Sequence, residues 1–109
     1  MVKPNLLRNL ILLVSLAVSL SSIAQPPEPA RQDDLIHLVK QDCGSCHGMT
    51  LKGGLGPALT SEELKHKPDQ FLIDTILYGR EQLAMPPWKG ILTEQEVHWI
   101  VKQLKTGIE

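Results

Sequence analysis

The chain has 109 residues, eleven Lys and Arg against twelve Asp and Glu, and a formal net charge of −1. This length sets one small domain, and the near-neutral balance excludes a nucleic-acid binder, which needs a basic excess or a basic stripe. An apolar fraction of 42% with 21% charged residues excludes a disordered chain, and only two cysteines, three positions apart, exclude a multi-bridge disulfide scaffold.

Residues 1–24 read as a cleaved signal peptide. Lys3 and Arg8 form a positive n-region, residues 10–20 (LILLVSLAVSL) an apolar run, and Ser22-Ile23-Ala24 a small-residue cleavage site. The expected mature chain begins at Gln25 and carries nine basic and twelve acidic groups, a net charge of −3. Export without a twin-arginine pair implies the general secretion route, hence the periplasm. Residues 25–32 (QPPEPARQ), with three prolines, read as an extended tether, and residues 33–109 as the domain.

The domain reads as all-α. Leu35, Ile36, Leu38 and Val39 have helical spacing over residues 33–41, with Asp33 or Asp34 as the cap. The glycine-rich residues 44–59 read as loop, and residues 61–65 as a single helical turn. Pro68 suits the first position of a helix that runs to Tyr78, with Leu72, Ile73, Ile76 and Leu77 inward and Gly79 as its stop. Residues 82–92 read as loop again. Thr93 and Glu96 form a capping box for a last helix with Val97, Ile100, Val101 and Leu104 as its apolar stripe, ended by Gly107. No segment alternates apolar and polar residues with period two, so no strand is expected.

Cys43-Gly44-Ser45-Cys46-His47 is a C-x-x-C-H motif. Two thiols three positions apart can each add to one vinyl group of a haem, and the adjacent histidine then reaches the iron; this is the c-type attachment signature. A thioredoxin-like pair would need a βαβ setting that is not visible. A zinc site would need four ligands, and His37, His66 and His98 show no paired spacing. For the opposite side of the iron, the candidates after His47 are Met49, His66, Met85 and His98. Met49 is tethered to the proximal side, His66 lies in the charged run Lys65-His66-Lys67, and His98 is on a helix flank. Met85, in a loop stiffened by Pro86 and Pro87, is the favoured distal ligand. Trp88 is expected either at the porphyrin edge or as core filler.

These features, CGSCH, then Gly56-Pro57-Ala58-Leu59, then Met85 in a proline-bounded loop and a capped last helix, resemble a class I c-type cytochrome over essentially the whole expected mature chain. The resemblance implies three main helices and a short helical turn around one covalently held haem c. It also implies that the first and last helices cross through Leu35, Val39, Ile100 and Leu104, and that the Pro57 carbonyl accepts the Nδ1 proton of His47. The stretch CGSCHGMTLKGGLGPALT, with ILYGR and MPPW, is similar to the short monohaem cytochromes encoded beside the dihaem nitrite reductase of denitrifying bacteria. That likeness implies a periplasmic single-electron carrier that donates to nitrite reductase or serves its maturation. The alternative is an accessory or assembly cytochrome bound stably to another respiratory oxidoreductase.

With both axial positions filled, no site is left for substrate, so an electron carrier and not an enzyme is expected, monomeric and without a membrane span after cleavage. Residues 43–61 hold no carboxylate and only Lys52 as a cationic side chain; residues 82–93 hold none and only Lys89. The expected docking face is therefore apolar with a weakly basic rim on an otherwise acidic protein.

Overall fold

A computed structural model describes Asn5 and residues 25–108; apart from Asn5, the expected signal peptide lies outside the described residues. Helix α1 spans Pro29–Leu38. It starts ahead of the expected Asp33, so half of the segment read as a tether is helical. Pro29 causes this: proline at the first helical position has its φ preset and no N–H to leave unsatisfied. Ahead of it, the Glu28 carbonyl accepts from the Gln32 amide at 2.9 Å, and the Gln32 side chain donates to the Pro27 carbonyl at 2.7 Å. Asp33 and Asp34 are therefore exposed helix residues and not caps.

The helix does not end at Gln41. It widens into a π-helical segment, Val39–Cys43, where the Gly44 N–H donates to the Val39 carbonyl five residues back. It then resumes as one α turn, α2 (Gly44–His47). The attachment motif thus stands at the end of a continuous helix, whereas Gly44 was expected to open a loop. Buried Gly44 continues the helix at φ −59, ψ −29, an ordinary helical conformation.

Helix α3 is the expected single turn (Ser61–Leu64), and α4 spans Asp69–Tyr78. Pro68 stands one position earlier than expected, as the N-cap with ψ 138; its carbonyl accepts from the Leu72 amide at 3.3 Å, the role an N-cap carbonyl plays. Helix α5 spans Glu94–Thr106, opened by the complete Thr93/Glu96 capping box and closed by Gly107. Among the described residues there is no strand, only an isolated antiparallel bridge between Arg80 and Met85.

One cluster forms the core: Leu35 and Val39 from the first helix, Leu72, Ile73 and Leu77 from α4, Val97, Ile100, Val101 and Leu104 from α5, with Leu51, Leu64 and Leu92 from between. The four expected crossing residues are all in it. Each buried aliphatic contributes about 1.5–3 kcal/mol. Two polar ties fix the helices at their ends. Arg31 Nε donates to Glu96 Oε1 at 2.6 Å, joining α1 to the start of α5. Lys105 Nζ donates to the Lys67 carbonyl at 2.8 Å and to Asp69 at 2.5 Å, joining the end of α5 to the start of α4.

Candidate functional site

Cys43, Cys46 and His47 lie within about one helical turn, because the widened helix carries the motif without a break. Both thiols are free, Cys43 half-buried and Cys46 exposed. Burial, helped by the charge of Asp42, pushes the Cys43 thiol up to about 11. The Ser45 hydroxyl donates to the Asp42 carbonyl at 2.7 Å and closes the outer side of the turn.

Beyond His47 the chain folds back onto the turn it has just left. The Gly53 N–H donates to the His47 carbonyl and the Gly56 N–H to the Cys46 carbonyl, both at 2.8 Å, so the loop caps the open carbonyls of the helix end. Leu51, at φ 59, is buried, and its carbonyl accepts from the Leu59 amide at 2.8 Å. This return brings Pro57 to the imidazole, and His47 Nδ1 lies 2.6 Å from the Pro57 carbonyl oxygen. A carbonyl can only accept, so Nδ1 carries the proton and the lone pair of the neutral ring is on Nε2. Gly56 makes the approach possible: a Cβ there would lie 2.8 Å from ring atoms Cε1 and Nδ1. In the sequence Gly56 stands out only as the residue before Pro57; the closeness of the ring to its bare Cα comes from the return of the loop.

Met85 sits in a loop that backbone bonds tie to the end of α4. The Arg80 N–H donates to the Met85 carbonyl at 2.9 Å, the Trp88 N–H to Ile76 at 3.0 Å and the Lys89 N–H to Leu77 at 3.1 Å. The last two bonds use carbonyls at the end of α4 that have no partner within the helix. Between them a 3-10 turn (Glu81–Leu83) leads to Ala84 in the left-handed region at φ 59, ψ 12, a conformation that costs a non-glycine residue about 1–2 kcal/mol. The Trp88 side chain is half-buried and packs against the core cluster. Lys89 Nζ stands 5.2 Å over the ring centre of Tyr78.

The other candidate ligands are elsewhere. Met49 is 59% exposed, His66 is exposed, and exposed His98 faces Glu94 at 3.8 Å across one helical turn. Among the described residues no three of His, Cys, Asp and Glu converge as metal ligands. The residues present fit a covalently held haem on their donor chemistry: two free thiols in one turn and an imidazole whose Nδ1 is engaged and whose Nε2 is the free donor. Large apolar side chains stand exposed on the two loops, Leu55 on the one after His47 and Leu83 and Ile91 on the one that carries Met85, at 96%, 66% and 65%.

Comparison with known proteins agrees with this chemistry. Residues 30–102 match the family described as cytochrome c oxidase, cbb3-type, subunit III. Cytochrome c55X of Pseudomonas aeruginosa is 50% identical over 99 residues, covering 90% of this chain and 83% of that protein. Cytochrome c55X of Paracoccus denitrificans is 48% identical over 103 residues, covering 94% and 98%. Among solved structures, the c-type cytochrome NirC is 52% identical with a TM-score of 0.71, over 73% of this chain and 94% of that one. An all-α fold, a C-x-x-C-H turn with an oriented histidine, and relatives half identical along most of their length lead to one conclusion: the chain belongs to the c-type cytochrome family, among small cytochromes similar to c55X and NirC.

Proposed function

We propose that this cytochrome is a periplasmic carrier of single electrons that holds one haem c through Cys43 and Cys46, with His47 and Met85 as the two axial ligands. When bound, the haem iron supplies a one-electron ferric/ferrous couple. The chain supplies the rest. The observation that carries the reading is the 2.6 Å bond from His47 Nδ1 to the Pro57 carbonyl, which fixes the ring orientation, leaves Nε2 as donor and raises its basicity. The Met85 thioether is a soft donor that favours the reduced iron and so a fairly positive potential. With two protein ligands no position is open to substrate, which supports a carrier over a catalyst.

The partner we propose is the periplasmic dihaem nitrite reductase, as recipient of electrons or of help in its maturation. Support comes from the likeness of CGSCHGMTLKGGLGPALT, ILYGR and MPPW to the cytochromes encoded beside that enzyme, and from the similarity to c55X and NirC. No described helix is long and apolar enough to cross a membrane.

The test is an optical spectrum of periplasmically matured protein, oxidised and reduced, with added carbon monoxide. The expected result is a c-type spectrum with a thioether charge-transfer band that vanishes in Met85→Ala, and no carbon monoxide binding by the wild type. Carbon monoxide binding to wild-type ferrous protein, or an unchanged spectrum in Met85→Ala, would overturn the ligand assignment. For the partner, reduced protein mixed with nitrite should be oxidised only when the purified reductase is present; equal oxidation without it would reject the donor role.

A further inference from the structure

We propose that Gly79 is a positioning residue for Met85: the chain turns there in a conformation open only to glycine, and the bare Cα seats the Met85–Pro86 backbone, so residue 79 sets where the thioether stands. The inference rests on the reading of Met85 as the second axial ligand.

Gly79 closes α4 at φ 69, ψ −169, a region that is essentially glycine-only. A Cβ at this position would lie 2.4 Å from the Met85 carbonyl oxygen, 2.7 Å from the Pro86 carbonyl carbon and 2.7 Å from the Pro87 nitrogen. All three are backbone atoms, so no side-chain rotation relieves the overlap. The surroundings are pinned on both sides. Gly79 itself donates to the Thr75 carbonyl at 2.9 Å, and residues 88 and 89 are bonded to the carbonyls of Ile76 and Leu77. The loop is tied to α4 at both ends, so a side chain at 79 must displace the segment between the ties. Met85 is in the middle of that segment. Gly107 provides a built-in contrast: it too has positive φ, +99, but a Cβ there meets nothing within 4 Å, so a substitution strains the backbone without pushing on any neighbour.

The experiment compares four matured holoproteins, Gly79→Ala, Gly107→Ala, Ala84→Gly and Met85→Ala, by thioether band, carbon monoxide binding and far-ultraviolet circular dichroism. Gly79→Ala should keep its helical signal, lose most of the band and bind carbon monoxide when reduced. Gly107→Ala should keep the wild-type band. Ala84→Gly, which gives freedom beside Met85 without adding bulk and suits φ 59, should also keep the band. A folded Gly79→Ala with an intact band, alongside a Met85→Ala that has lost it, overturns the inference alone. An unchanged Met85→Ala overturns the ligand reading beneath it. Should Gly79→Ala fail to fold, Ala84→Gly still decides: loss of its band would mean that residue 84 and not residue 79 sets the ligand.

Discussion

The loop after α2 and the loop after α4 do related work by different means. In the first, the key side chain belongs to the helix, and the loop returns to hold it: His47 ends α2, and Pro57 reaches its imidazole at 2.6 Å. In the second, the key side chain belongs to the loop, which is held by backbone bonds to the end of α4 and by the packing of Trp88 and Leu92. A disturbance of the first loop tilts a group anchored on a helix that also carries both thiols. A disturbance of the second moves Met85 bodily. On the proposed ligand set the two loops should therefore fail differently, the first through stability and attachment, the second through loss of the Met85 ligand with the fold intact.

The largest effect expected on the first side comes from removing its covalent anchors. A Cys43→Ala, Cys46→Ala double variant made without haem should show no cooperative thermal transition, because a chain with 4% aromatic residues lacks the apolar surface that a porphyrin supplies. A native-like melting curve would break the comparison by showing that neither loop needs the cofactor. Next comes Gly56→Ala. Its Cβ would stand 2.8 Å from the imidazole, and overpacking of this kind costs about 1–3 kcal/mol. Chemical denaturation should register that loss while the thioether band persists; a lost band at full stability would mean that the loops are not separable.

Thr93, where the second loop hands over to α5, allows a smaller test. Thr93→Ala should cost about 1 kcal/mol as a lost cap, again without change in the band. Its partner Glu96 adds a pH dependence. The hydrogen bond from Arg31, opposed by partial burial and helped by the Thr93 amide, holds the Glu96 carboxyl below its usual range. A depressed folded-state value stabilises the fold above the ordinary glutamate pKa of about 4.3 and loses that contribution as pH falls through the folded value. Melting temperatures of the wild type should accordingly drop in acid below about pH 4.3, and Glu96→Gln should flatten that limb. An unchanged acid limb would show that other carboxylates govern it. The smallest effect concerns partner recognition. Lys52 and Lys89 are the only Lys or Arg side chains on the carboxylate-free stretches of the two loops, so electron-transfer rates should fall only mildly with salt. A steep fall would point to a larger basic surface.

Much of this was legible in the sequence where boundaries carry their own chemistry. Gly79, the Thr93/Glu96 box and Gly107 mark the ends of α4 and α5, and both helices stop where those residues stand. C-x-x-C-H marks the attachment turn regardless of its surroundings. The start of α1 was misread because three prolines look like a tether, whereas one of them, Pro29, is a good first helical residue. The contacts of Gly56 and Gly79 were invisible for another reason: each depends on what another segment brings beside it, and a glycine's identity says nothing of its neighbour. The π-helical segment had no signal at all, since VKQDC is compatible with an ordinary helix.

That segment has a consequence for how the two halves of the first helix divide their labour. An α-helix turns about 100° per residue, so one extra residue in a turn rotates everything downstream by roughly that angle. Leu35, ahead of the widening, and Val39, its first residue, are fully buried, while Cys43, its last residue, is half-buried and Cys46 beyond it is exposed. The widened turn works as a phase shifter: it lets one unbroken rod point its apolar stripe at the core and its attachment chemistry elsewhere, with no hinge between them. Deleting one residue from 40–42 should restore an ordinary helix with the motif still facing away from the stripe, because the extra residue is what the widened turn absorbs.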